Sequence, residues 1–180
     1  QLIKEAGVPS NWRLRIMTAN AGSGQLMPVE ICDFLGKSLE AIGFGAEIVQ
    51  SDDWVSYCNE WRSGLPDGAG ASQMSWGMSC DVWLDQVLHS RNSSPHGFNA
   101  GYYSNAEVDS LLDKAKRTNE SGKRAILYQD AHRIIMNELP VLPMLTLKTG
   151  FVCYSPRVND FSNPHQNWHS FKSIWMGPLA

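Results

Sequence analysis

Residues 12–18, WRLRIMT, alternate along the chain. Trp12, Leu14 and Ile16 fall on one side and Arg13, Arg15 and Met17 on the other, which predicts a strand. NAGSGQ then reads as a turn, and Pro28 suits the first turn of a helix, where no N–H donor is needed. Ile31, Phe34, Leu35, Ser38 and Ile42 recur at helical spacing, and Gly43 and Gly45 end the run because glycine tolerates a left-handed cap. AEIVQ is a second strand. A strand, helix and strand joined this closely imply a right-handed parallel crossover. SDDW opens another helix, with Ser51 or Asp52 as its cap and Trp54, Tyr57, Cys58 and Trp61 on one face.

GLPDGAGAS is a glycine-rich loop, and QMSWGMS after it reads as a third strand. Residues 90–103 look irregular. Ser104 and Glu107 form a capping box, followed by the stripe Val108, Leu111, Leu112 and Ala115. A further helix starts at Ser121, carries Leu127, Ala131, Ile134, Ile135 and Leu139, and is stopped by Pro140. VLPMLTLKTGFVCYS reads as one or two strands, and the tail is loop-rich and aromatic. The alternation of strands and helices indicates an α/β domain spanning 1–180.

Composition narrows the functional classes. The 180 residues are 43% hydrophobic and 18% charged, enough apolar material for a real core. Net charge is −3 and Lys and Arg are scattered, which argues against a nucleic-acid surface. No apolar run approaches the roughly 20 residues that span a bilayer. The chain opens mid-pattern with QLIKEAG, as a fragment would. Cys32, Cys58, Cys80 and Cys153 are widely spaced with no CxxC pair, so zinc is disfavoured and four cysteines leave three pairings or free thiols open. Cys32 and Cys58, among apolar neighbours, read as buried thiols.

Few constellations carry chemistry. His165 and His169 are four apart, but Gln166 stands where a zinc-protease helix needs glutamate, and Pro164 opposes a helix. GAGAS lacks a P-loop ending. Asp52–Asp53 and Glu107–Asp109 sit at helix starts, where capping explains them. No GxSxG elbow exists, so a nucleophilic triad has no support and no enzyme is expected. The seven tryptophans are the stronger signal. Trp12, Trp54 and Trp61 fall in periodic core patterns. Trp76 is different, because open α/β sheets bind ligands beyond the carboxyl ends of their strands. There Trp76 offers an apolar wall, Gly77 close backbone approach, and Ser79 and Asp81 polar contacts, with Met78 between them; packing in the core is the competing reading for Trp76.

The order LIKEAG, LEAIGF, AEIVQSDDWVSY, GYYSNAEVDSLLDKAK and KRAILYQDAHRIIMNELPVLPML, closing on NWHSFKSIW, resembles the family 5 extracellular solute-binding proteins of ABC importers, which bind dipeptides, oligopeptides or nickel. The resemblance covers nearly the whole chain and is most specific from Gly101 to Pro143. It implies the C-terminal lobe of a two-lobed, periplasmic-binding-protein-like (type II) fold, with a central, mostly parallel mixed sheet flanked by helices and its N-terminal lobe absent. It also implies a small-molecule or peptide ligand, an ABC transporter permease as partner, no cofactor or metal, and a periplasmic or extracellular location with a lipoprotein anchor as one form. In peptide-binding relatives the strand reads W-x-x-D, and that aspartate pairs with the ligand ammonium; here Ser79 holds the position, with Asp81 two residues on. A neutral hydroxyl cannot balance a buried ammonium, so a sugar, an opine-like compound or another small solute stands beside a peptide as ligand. The loop after the first strand supplies ligand contacts in such relatives, which brings in Asn20. A pairing of Cys80 with Cys153 is a further expectation for an exported protein. The alternative function is a solute-sensing domain of a transcription regulator.

Overall fold

The computed structural model describes residues 2–77, 80–145, 155–161 and 171–178. After a short helix α1 (Leu2–Glu5), the architecture is organised by β1 (Arg13–Ala19). It pairs in parallel with β2 (Gly45–Ser51) from Arg13↔Gly45 to Ala19↔Ser51. The alternation read from the sequence does not appear in the burial of β1: Arg13 is exposed, Leu14 and Arg15 are half-buried, and Ile16, Met17, Thr18 and Ala19 are all buried. A strand paired along its length and covered on both faces has no solvent side to keep polar. Trp12 precedes the strand, stays 42% exposed and packs on Phe44 with ring centroids 4.9 Å apart, so it is not a core residue.

The crossover helix α2 (Pro28–Ala41) begins at Pro28 as its sequence requires. Its buried row is Pro28, Cys32 and Gly36, spaced four apart. The stripe read from the larger apolar residues lies one face round, and Phe34 and Ile42 are each 67% exposed. Small side chains every fourth residue let the helix backbone lie close on Ala46 and Ile48 of β2. Gly43, at φ 82°, takes the left-handed position after the helix, whereas Gly45 is already the first residue of β2.

Helix α3 (Trp54–Ser63) is capped by Asp53, whose Oδ2 accepts from the Ser56 N–H at 2.7 Å, rather than by Ser51 or Asp52. The Ser56 hydroxyl, and after it the Ser56 N–H, hold the Asp53 carboxyl below its ordinary range. Tyr57 and Trp61 are buried along the face that the periodicity assigned. The Tyr57 hydroxyl sits between the Gln73 carbonyl and the Met17 carbonyl, the latter at 3.3 Å, and burial pushes its pKa well up. β3 is Ala71–Ser72, parallel to β1, two residues ahead of the stretch read as a strand and shorter. Trp61 Nε1 donates to Ser72 Oγ at 3.2 Å and fixes this early pairing, and the Gln73 N–H donates to Met17 O at 2.8 Å before the chain leaves β1. The sheet order is β2-β1-β3, parallel throughout; antiparallel pairing among the described residues is confined to β4 (Val158–Asn159) with β5 (Trp175–Met176).

A second cluster is helical. Helix α4 (Cys80–Leu88), absent from the sequence reading, buries Leu84 and Leu88 against Val108 and Leu112 of α5 (Ala106–Arg117) and Ala131 and Ile135 of α6 (Ser121–Glu138). Asn105, not Ser104, caps α5: its Oδ1 accepts from Glu107 N at 2.9 Å and Val108 N at 3.2 Å. Glu138, the last residue of α6, accepts from Tyr103 at 2.6 Å and Asn105 at 2.8 Å, and Leu139 at φ 49° ends the helix ahead of Pro140. The expected strand within 141–155 and the Cys153 partner fall mostly on 146–154, outside the described residues. Cys32 and Cys58 are free thiols, and burial raises the pKa of both.

Charges tie α4 to α5. Asp85 is buried and accepts from Lys116 Nζ at 2.7 Å and from Arg91, which lies in a single 3-10 turn, Ser90–Asn92. Arg91 also reaches Asp113 at 2.6 Å, and buried His89 lies between Asp109 and Asp113, at 3.3 and 3.6 Å. A buried carboxylate with two cations is stable only while both partners stay.

Leu112→Ala in the full-length protein should cost about 2–5 kcal/mol, since the helical cluster cannot collapse around the lost side chain. Denaturant titration measures this, and a loss below about 1 kcal/mol would mean that the cluster repacks. The hydrogen bond from Arg91 holds the Asp113 carboxyl below the usual range. The pair's contribution is therefore complete above the unfolded carboxylate value of about 4 and is lost as pH falls through the folded value. Wild type and Asp113→Asn should differ in stability at neutral pH and converge on acidification. A difference that persists at the most acid pH would assign the effect to shape rather than charge.

Candidate ligand-binding site

The carboxyl ends of β1 and β2, and the chain beyond β3, bring four segments together. Asn20 follows β1, its N–H donates to Ser51 O at 2.9 Å, and its side-chain amide donates to Asp52. Gly22 lies against the Trp54 indole so closely that a Cβ there would overlap the ring. Gln25 reaches across to Ser75: Ser75 N donates to its Oε1 at 2.8 Å, and its Nε2 donates to Ser75 O at 3.2 Å. Gln73 Nε2 donates to Ser75 Oγ at 3.3 Å, and buried Thr18 Oγ1 donates to Gln73 Oε1 at 3.4 Å. The result is a polar edge of amides, hydroxyls and one exposed carboxylate, Asp52, above an apolar floor of Met17, Ala19 and Tyr57.

Trp76 is half-buried. Its ring meets Trp61 edge-on at 5.5 Å and Phe98 at 5.8 Å, Phe98 stacks on Trp61 at 6.0 Å, and the Arg62 guanidinium lies 5.2 Å from the Phe98 ring. These contacts give the packing reading of Trp76 its basis and still leave part of the indole uncovered. Gly77 is exposed just beyond it. Met78 and Ser79 lie outside the described residues, as do His165 and His169. Asp81 is exposed in the first turn of α4, where it lines a shallow cleft with Asp85, Gln86, Lys116 and Tyr128 rather than the edge built around Asn20.

The structure thus joins Asn20, through Asp52, and Trp76 with Gly77, through Ser75, to one edge, and sets Asp81 on another element. Sequence reasoning missed Gln25, Gln73, Ser75 and Asp52. One signal was available for two of them: Gln73 and Ser75 are polar at a period of two, which marks one face of an extended segment. Nothing in the sequence pointed to Gln25, whose partner is fifty positions away. Among the described residues no group of three or more side chains could hold a metal ion, and no helix is long and apolar enough to cross a membrane. An edge of this kind holds a polar solute by hydrogen bonds, with aromatic surface beside it.

No family model matches the chain. The glutathione-binding protein GsiB of Escherichia coli is 28% identical over 153 residues, covering 82% of this chain and 29% of its own. HbpA2 from Haemophilus parasuis superposes with a TM-score of 0.74 at 20% identity, over 98% of this chain and 34% of that one. The chain is a relative of the family 5 solute-binding proteins. Its fold is that of a type II periplasmic binding protein. The ABC transporter-associated periplasmic binding protein DppA from Helicobacter pylori, solved in complex with peptide STSA, superposes with a TM-score of 0.68 at 24% identity, over 79% of this chain and 27% of that chain. The chain spans only 29% of the length of the curated solute-binding relatives it matches.

Gly22→Ala should force the Trp54 indole aside and cost about 1–3 kcal/mol, as overpacking does in a filled site. Denaturation of the full-length variant measures the cost. An unchanged midpoint would mean that loop 20–27 moves freely off α3.

Proposed function

We propose that the chain is the C-terminal ligand-binding lobe of an ABC-importer solute-binding protein, which captures peptides or other small solutes for uptake. The observation that carries this reading is the polar edge at the carboxyl ends of β1 and β2, floored by Tyr57 and flanked by Trp76. Ligands of open parallel sheets sit beyond that end. The relatives' glutathione and peptide ligands supply the class: a short peptide with amide, carboxylate and ammonium groups. Asn20, Gly77 and the uncovered part of Trp76 meet it, and the exposed carboxylate of Asp52 faces its ammonium. An N-terminal lobe closes over this edge, and closure excludes water, which strengthens each polar contact. The loaded protein hands its ligand to a permease outside the cytoplasmic membrane, in the periplasm or held at the surface by a lipid anchor.

Thermal shift and tryptophan fluorescence of the full-length protein against glutathione, di- and tripeptides, oligosaccharides and nickel test this. A peptide or glutathione present at a hundred times its dissociation constant should add about 2.7 kcal/mol of stability. Trp76→Ala should weaken that response. A response to sugars alone would move the ligand class away from peptides, and silence across the panel would sink the solute-binding reading.

A further inference from the structure

We propose that Gln25 is a positioning residue: its side-chain amide latches the loop after β1 to Ser75, so that Asn20 on one side and Trp76–Gly77 on the other present a single surface to ligand. The inference rests on the function proposed above and adds a residue to it. Among the described residues four hydrogen bonds join residues 20–27 to residues 73–77, and Gln25 makes three of them: with Ser75 N at 2.8 Å, Ser75 O at 3.2 Å and Met74 Sδ at 3.4 Å. The fourth, from Leu26 N to Ser75 Oγ at 3.4 Å, comes from the next residue.

The pairing has the form of a strand ladder made by a side chain. Beyond Gln73 the backbone has left β1, so the Ser75 N–H and C=O have no strand partner. A primary amide offers one acceptor and two donors, and Gln25 spends the acceptor and one donor on those two groups. Buried or half-buried backbone groups need partners of this kind. The latch lies where rigidity matters most to binding, because Trp76 is the residue after Ser75 and loop 20–27 opens at Asn20. Residues 20–24 have a described tie to β2 through Asn20 and Ser51; the backbone of Ser75 is held by Gln25, its hydroxyl takes bonds from Gln73 and Leu26, and Trp76 packs on Trp61 and Phe98. Removing the amide therefore loosens the backbone of the segment that carries Trp76 without touching ligand directly, and the loss appears as the ordering cost of binding.

Substitution separates the roles. Gln25→Glu keeps the size and the acceptor for Ser75 N but sets a carboxylate against Ser75 O; Gln25→Ala removes both. Hydrogen exchange at Ser75 in full-length, ligand-free protein reads the latch without any ligand. Affinity for glutathione and for a tripeptide reads its consequence. Expected are exchange at Ser75 about tenfold faster in Gln25→Ala, exchange at Met17 unchanged, and binding about tenfold weaker, with Gln25→Glu between wild type and Gln25→Ala in both. Unchanged exchange at Ser75 would overturn the latch. Faster exchange with unchanged affinity would overturn the positioning role. If the wild-type protein binds neither probe, the proposed function and the positioning role fall together, while the exchange result still reports on the hydrogen bonds.

Discussion

Everything described in the α/β part hangs from β1. It pairs with β2 on one edge and with Ala71–Ser72 on the other, and four consecutive residues at its carboxyl end, Ile16 to Ala19, are buried. A strand held on both edges and both faces has a fixed register, because a slip by one residue would turn every side chain to the wrong face. The site inherits its geometry from that register: Asn20 is where it is because Ala19 faces Ser51.

Tyr57 shows how the helices enforce the arrangement. Its hydroxyl lies between carbonyls of β1 and of the chain beyond β3, so α3 binds both strands at the point where they diverge. Deep burial of a phenol is stable only with such a partner. Above that point the backbone of 73–75 leaves the sheet, and polar side chains take over from strand pairing. The amide of Gln25 and the hydroxyl of Ser75 do there what a longer strand would have done, and leave an edge open to solvent on its outer side.

The helical cluster depends on a different balance. Its apolar contacts between α4, α5 and α6 have no preferred register of their own, and the ion pairs of Asp85 with Lys116 and Arg91 supply one. Trp76 stands between the two parts: it follows the segment latched to the sheet, meets Trp61 of α3, and packs with Phe98 against the helical cluster. A side chain shared between two clusters reports motion of either. On the outward side of α2, Met27 and Phe34, 57% and 67% exposed, line an apolar groove with Ile31, Met144 and Leu145.

Much of this was legible in the sequence. Period two found β1, AEIVQ was read as β2, period 3.6 found α2, α3, α5 and α6, and Pro28 and Pro140 marked a start and a stop where they now stand. The caps lay one residue off, at Asp53 and Asn105, because several adjacent residues could each cap and only backbone geometry chooses among them. Helix α4 escaped because its nine residues carry few repeats of a helical period and directly follow the stretch read as a strand. The face of α2 was misread because large apolar residues drew the assignment, whereas close approach to a sheet selects small ones. At the candidate site, Trp76–Gly77 was read from the end of a strand and Asn20 from the resemblance, but the pairing of Gln25 with Ser75, and Asp81 on a helix turned to another cleft, are facts of tertiary structure. The sequence alone determined most of the strands and helices and their order, since those follow from local period and backbone chemistry. Which residues meet at the edge of the sheet was decided by the fold, because contacts across fifty positions depend on how the elements pack and leave no periodic trace in the chain.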